Sequence, residues 1–222
     1  MVKGIIFDFD GVILESVDIK TRAFKEVFKE YPEELDRIVE HHLEHAGISR
    51  IDKFKTIYQV FLNKSIDQSE INQLNQDFAN FVYREILDCP FVQGAHQFLQ
   101  LHHKHFKFFL ASGTHESELR DIVNRRGLGR FFQGVYGSPK SKADIAKYII
   151  QEWALPASDV MFVGDALADY VGAREVGLPF IGRVPPGEMN PFPLEGVFGI
   201  IRKFSELEGM LGFKIENCVI DG

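Results

Sequence analysis

The sequence predicts an α/β protein: a parallel sheet flanked by helices, interrupted after its first strand by an all-helical insertion. Three observations lead there. Residues 2–8 are a nearly unbroken apolar run, and continuous rather than alternating hydrophobicity suits a strand buried on both faces of a parallel sheet. Over residues 16–88 strand-like runs vanish and charged, amphipathic helical patterns replace them. From Pro90 strands and helices alternate again, which implies βαβ units with right-handed crossovers.

Each element has its own signal. In the insertion, helical patterns cover 21–30, 33–46, 50–62 and 69–87; in the last, Ile71, Leu74, Phe78, Phe81, Val82 and Ile86 recur at helical spacing. Gly47, Ile48, Ser49 and Arg50 read as the turn between two of these helices. Beyond Pro90, 94–102 is helical and 106–111 is a buried strand ending in Ser112-Gly113-Thr114. A helix over 116–126 closes at Gly127, and 134–136 is a short strand. Ser141 and Asp144 form a capping box opening a helix over 141–153. A strand over 160–163 ends in Gly164-Asp165, and a helix over 167–175 follows. Short strands at 180–181 and 197–200, separated by a Pro-rich loop at 185–193, lead to a last helix over 204–211.

Composition limits the partners. The chain has 222 residues with 45% hydrophobic and 26% charged residues, ample for one core with an inserted subdomain. A net charge of −7 argues against nucleic acid and anionic membrane surfaces. No apolar run reaches the roughly 18–20 residues needed to cross a bilayer, and the chain opens directly on a strand, so a cytoplasmic protein, monomer or homodimer, is expected. Cys89 and Cys218 fit no metal or disulfide spacing and read as free thiols in a reducing compartment. The 21 phenylalanines and Trp153 read as core. His41, His42 and His45 read as a solvated helix face, because no His-Glu-x-x-His pattern accompanies them. His102, His103 and His105 read as exposed.

The chemistry begins with Asp8-Phe9-Asp10-Gly11. On a strand, residues i and i+2 point to the same face, so two carboxylates arrive together at the end where open α/β sheets bind ligands. Like charges this close need a metal, a shared proton or catalytic use to offset them. Three further polar clusters follow at strand ends or adjacent loops: Ser112-Gly113-Thr114, Lys140-Ser141-Lys142, and Gly164-Asp165 with Asp169. Strands of one parallel sheet present their C-terminal ends to one edge, so the four clusters should converge. Together they suit phosphoryl transfer. A carboxylate can attack phosphorus and a second can move protons. Hydroxyl, amide and ammonium groups can hold phosphate oxygens, and hard carboxylate oxygens suit Mg²⁺.

These four ordered motifs resemble the haloacid dehalogenase superfamily, in its Asp-x-Asp phosphohydrolase branch, over nearly the whole chain. The resemblance implies a Rossmann-like parallel sheet core formed by residues 1–15 and 90–222, with a helical cap subdomain over 16–89. It implies Asp8 as nucleophile and Asp10 as general acid/base. It also implies Mg²⁺ held by Asp8, the Asp10 backbone carbonyl and Asp165, with Asp169 in support. Ser112 and the Gly113 amide would bind phosphate, braced by Lys142 or Lys140; the usual Lys-Pro form of that motif is absent. Arg50 and Lys20 could reach the substrate from the cap, with hinges at Glu15-Ser16 and over 88–91.

The resembled subgroup is that of phosphoglycolate phosphatase and β-phosphoglucomutase. A Mg²⁺-dependent phosphatase of a small phosphorylated metabolite is the leading expectation. A phosphomutase is the alternative, weakened because Lys20 stands where such mutases carry histidine. A metal-free dehalogenase normally lacks the second aspartate that Asp10 supplies. A binding module on the same fold is the non-catalytic alternative.

Overall fold

The computed structural model describes residues 2–45, 48–193 and 195–212. Ala46, Gly47, Cys218 and the terminal Asp221-Gly222 pair lie outside the described residues.

Strand β1 (Gly4–Phe7) is buried at every position. It pairs in parallel with β2 (Lys107–His115) on one side and β4 (Val160–Gly164) on the other. With β3 (Phe132–Ser138), β5 (Phe180–Arg183) and β6 (Gly199–Ile201), these strands form one parallel sheet in the order β3-β2-β1-β4-β5-β6. The order reverses between β1 and β4, which opens a crevice beyond their C-terminal ends. The apolar run of β1 feeds both faces. Ile5 and Phe7 join one apolar cluster, and Ile6 joins the other. The same alternation sends Phe108 and Leu110 of β2 to the first cluster, and Phe109 and Ala111 to the second.

Helices cover both faces. On the first lie α5 (Ala95–His102), α6 (Glu116–Arg125) and α9 (Phe204–Met210); on the second lie α7 (Lys142–Glu152) and α8 (Leu167–Val176). Between β1 and α5 the chain makes α1 (Val17–Val27), α2 (Leu35–Glu44), α3 (Arg50–Thr56) and α4 (Gln68–Asp88), with a π-helical turn over Ile57–Phe61. Helix α4 opens on a full capping box, in which the Asp67 side chain and Glu70 each accept the other's backbone N–H. The insertion packs around Phe24, Phe28, Phe54 and Phe78, all in ring contact and at most 2% exposed. The two chain segments joining it to the sheet run side by side, with Glu15 N–H donating to the Pro90 carbonyl and Val92 N–H to the Ile13 carbonyl at 3.0 Å each.

The structure corrects several expectations. Helix α1 begins four residues before the expected start at 21, because Val17 and Ile19 already lie on its turns. The expected helix over 50–62 ends at Thr56 and passes into the π turn. Strand β2 runs on through Ser112-Gly113-Thr114, so this motif sits within the strand end rather than after it. Ser141 caps α7, but Asp144 accepts from its hydroxyl rather than its backbone N–H. His42 and His102 are buried, not exposed: His42 stacks on Phe24, and His102 Nε2 lies 3.0 Å from Glu208 Oε1. Surface-like sequence around a histidine hides such buried partners, because they come from distant segments. Among the described residues, no helix is long and apolar enough to cross a membrane.

Candidate active site

The end of β1 delivers Asp8 and Asp10, 8% and 7% exposed, into two different environments. Asp8 faces Lys142 from the first turn of α7, with Nζ 2.8 Å from Oδ1. The same ammonium lies 2.7 Å from Asp169 Oδ1 and donates to the Ala111 carbonyl at 2.6 Å. Asp8 Oδ1 also accepts the Phe9 N–H at 2.6 Å. Burial, and then the charge of Asp169, push Asp8 up to about 7 against the pull of Lys142.

Asp10 is held by donors. Lys20 Nζ of α1 reaches its Oδ2 at 2.5 Å, Thr114 Oγ1 reaches the same oxygen at 3.1 Å, and Ser16 Oγ reaches Oδ1 at 2.7 Å. Ser112 Oγ stands 3.4 Å from Oδ2. Burial raises the Asp10 pKa, but Lys20 and the hydroxyl donors outweigh it and hold Asp10 below the usual carboxylate range. Asp8, crowded by Asp169, thus holds a proton more tightly than Asp10, and a cation bound at the carboxylate cluster would pull Asp8 back down.

Asp165 and Asp169 come from the loop and first turn after β4. One oxygen each from Asp8, Asp165 and Asp169 lie within 4.8 Å of one another. Burial, and then Asp8 and Asp169, push Asp165 well above its ordinary value. Three carboxylates share one ammonium here, so the cluster lacks positive charge. An all-oxygen set of this kind fits a hard divalent cation.

Two glycines make the convergence possible. Gly11 turns the chain after Asp10 with φ 73°, and a side chain there would collide with Asp165. At Gly172 of α8 an added Cβ would come within 2.8 Å of Lys142 Cβ, so glycine lets α8 close against α7 where Lys142 starts.

Of the expected residues, Asp8, Asp10, Ser112, Lys142, Asp165, Asp169 and Lys20 meet at this edge. Gly113 sits between Ser112 and Thr114 at an exposed position. Lys140 does not join them; it is exposed, with Nζ 5.1 Å from the centre of the Tyr148 ring. Arg50 faces Glu118 of α6, Nη2 to Oε2 at 3.0 Å, and donates to Asn75 Oδ1 at 2.7 Å.

Two contributors were read in the sequence without their contact to Asp10, and one went unread. Thr114 belongs to the polar cluster at the end of β2, and its spacing from Ser112 puts both on one face of the strand. Ser16 was legible only as a linker residue. Arg183, 2% exposed at the end of β5, donates to the Gly11 carbonyl at 3.1 Å and to Glu15 Oε1 at 2.5 Å. It ties the turn after Asp10 to the sheet, and nothing local in the sequence marks it.

Comparison with known proteins gives the family and the fold. A family model described as haloacid dehalogenase-like hydrolase matches residues 5–183. A phosphoglycolate phosphatase of Vibrio parahaemolyticus is 23% identical over 201 residues, covering 82% of this chain and 83% of that protein. A haloacid dehalogenase-like hydrolase from Streptococcus pneumoniae superposes with a TM-score of 0.73 at 21% identity, covering 95% of this chain and 98% of the other. The hydrolase YfnB of Bacillus subtilis, solved bound to magnesium, superposes with a TM-score of 0.73 at 17% identity, covering 96% and 99%.

Proposed function

The chain belongs to the haloacid dehalogenase-like hydrolases, and from that premise we propose that it is a Mg²⁺-dependent phosphomonoesterase of a small phosphorylated metabolite. The observation that carries this is the convergence at one sheet edge of Asp8, Asp165 and Asp169, with one oxygen each within 4.8 Å of one another, around the Lys142 ammonium, and with Asp10 and Ser112 beside them. The phosphatase name of the Vibrio relative and the magnesium in the Bacillus structure support the same reading.

In this reading residues 1–15 and 90–222 are the catalytic core, and 16–89 the cap that excludes water and selects the substrate. Asp8, Asp165 and the Asp10 backbone carbonyl hold Mg²⁺, with Asp169 in support. Bound there, the cation supplies charge neutralisation for the phosphate.

Lys142 fixes Asp8 and Asp169 together, so the Asp8 carboxylate is oriented before substrate arrives. Asp8 attacks phosphorus, the ester P–O bond breaks, and an aspartyl-phosphate forms while the leaving oxygen takes a proton from Asp10. Asp10 then takes a proton from water, which attacks the aspartyl-phosphate and releases phosphate. Ser112 and the Gly113 amide hold phosphate oxygens. Lys20 has a double part. At rest it keeps Asp10 ionised; an entering phosphate dianion competes for its ammonium, and once Lys20 has moved to the phosphate, Asp10 takes up a proton from solvent water, which it then passes to the leaving oxygen.

The test is phosphate release from p-nitrophenyl phosphate and a panel of metabolite phosphates, with Mg²⁺ and with EDTA. Release that requires Mg²⁺ and falls by about 10³-fold or more in Asp8→Asn is expected. Undiminished release by that variant would overturn the nucleophile assignment.

A further inference from the structure

One buried cation of the sheet domain reaches two parts of the molecule at once. Arg183 ends β5, is 2% exposed, and lies two strands away from β1. Two strand spacings are about 9–10 Å, so only a long side chain can return from there to the turn that follows Asp10. Its Nη1 donates to the Gly11 carbonyl at 3.1 Å and its Nη2 to Glu15 Oε1 at 2.5 Å, while Nε meets no acceptor among the described residues. A buried guanidinium with a donor left over is costly, so packing alone does not account for an arginine here.

The two acceptors bracket one turn. Ile13 and Leu14 donate their N–H groups to the Phe9 carbonyl at 2.9 and 3.1 Å, and the Gly11 N–H donates to the Leu14 carbonyl at 2.8 Å. Gly11 borders the carboxylate cluster: a Cβ there would collide with Asp165 and come within 2.8 Å of Cγ2 of Val17, the first residue of α1. The far end of the turn runs into the paired linkers. The Glu15 N–H donates to the Pro90 carbonyl, Leu14 bridges to Phe91, and the Val92 N–H donates to the Ile13 carbonyl. A planar guanidinium holds two acceptors at a fixed separation. The Gly11 peptide and the Glu15 side chain therefore move together while both bonds last.

We propose that Arg183 is a positioning residue that couples the cation site to the cap hinge. Its fork ties the Gly11 turn, set against Asp165, to Glu15 at the start of the linker, so a cation held at the carboxylate cluster steadies the linker pair. This rests on the proposed function for the cation and for the hinge. The coupling is reciprocal: whatever stability the cation adds to the closed linkers, closed linkers return as cation affinity. The competing explanation is that Arg183 only braces β5 against the turn. The linkers would then respond to the cation no more than the sheet does.

Amide hydrogen exchange, read residue by residue with Mg²⁺ and with EDTA in the absence of substrate, separates the two. In the wild-type protein Mg²⁺ should slow the Glu15 and Val92 amides about five-fold or more beyond its effect on the Phe108 and Leu110 amides of β2, which report global opening. In Arg183→Met that excess should fall to about two-fold or less, and the Mg²⁺ dissociation constant from calorimetry should rise about ten-fold. Glu15→Met cuts only the hinge arm, so it should lose the excess while keeping the dissociation constant within about three-fold. Absence of the excess in the wild-type protein overturns the coupling whether or not any variant folds. So does a folded Arg183→Met that keeps either the wild-type excess or the wild-type dissociation constant. If the excess is found but no ester is hydrolysed, the phosphatase reading fails and the coupling stands.

Discussion

Lys142 is the residue on which the site's electrostatics turn. Among the described residues, its ammonium is the one positive charge touching both Asp8 and Asp169, and its pKa is raised because these two carboxylates outweigh the cost of burial. Removing one partner of a buried charge cluster leaves the others uncompensated, at a cost of about 3–5 kcal/mol. Lys142→Met should therefore lower stability by about that much in EDTA and abolish phosphate release, and Mg²⁺ should restore part of the lost stability. Lys140→Met, which removes an exposed side chain beside Tyr148, should change neither by more than about two-fold or 0.5 kcal/mol. Denaturant melts with and without Mg²⁺, run beside the activity assay, decide both. The sequence favours Lys142, at the first turn of the helix after Ser141, with Lys140 in the preceding loop as the alternative. The packing of α7 on α8, relaxed by Gly172, turns the Lys142 side chain inward. Asp8, Asp10, Ser112, Asp165 and Asp169 were legible because strand ends and first turns fix where their side chains go. The contacts of Thr114, Ser16 and Arg183 were not, since each is recognised by its distant partner and not by its neighbours.

At the scale of elements, the insertion is joined to the sheet domain by contacts that sequence patterns do not display. Helical periodicity located α1 to α4, with ends displaced by a few residues where turns and the π segment intervene. Which of their faces meets α6 was not legible, because those faces are polar: Arg50 pairs with Glu118, and the Tyr83 hydroxyl donates to Asp121 at 2.7 Å. If the insertion is a cap, Glu118→Gln should weaken its closure by about 1 kcal/mol, roughly a five-fold gain in open molecules. Limited proteolysis at the linkers should quicken accordingly; an unchanged rate would mean the Arg50 contact does not hold the cap. Helices α2 and α3 carry a pH dependence of their own through His42. Its folded pKa, about 3, lies below the unfolded value of about 6.5, so between these values the unfolded chain binds more protons. Stability is then lost as pH falls from about 6.5 toward 3. His42→Gln removes that titration. The melting temperature of wild type, relative to this variant, should fall steadily from pH 7 to pH 4, and a constant difference would contradict the buried neutral imidazole.

For the whole molecule, the question is whether insertion and sheet unfold as one. The first apolar cluster runs without a break from Phe7, Phe98 and Phe108 at the sheet to Phe24, Phe54 and Phe78 in the insertion, while the second is confined to the opposite sheet face. A shared core of this kind couples the two parts, and chains of this length commonly need such coupling to remain two-state. The single tryptophan, Trp153, packs against the second cluster, with its ring 5.5 Å from Phe109 and on the far side of the sheet from the insertion. Its fluorescence thus reports the sheet, whereas far-UV circular dichroism includes a large share from α1 to α4. In EDTA the two signals should change together in one denaturant transition. Phe24→Ala, which empties a fully buried ring site within the insertion, should shift both midpoints equally, by about 3–5 kcal/mol of stability. If the dichroism midpoint moves while the Trp153 midpoint stays, the insertion folds as a separate unit. Cap movement would then be opening between two independently stable bodies, rather than a local release within one cooperative core.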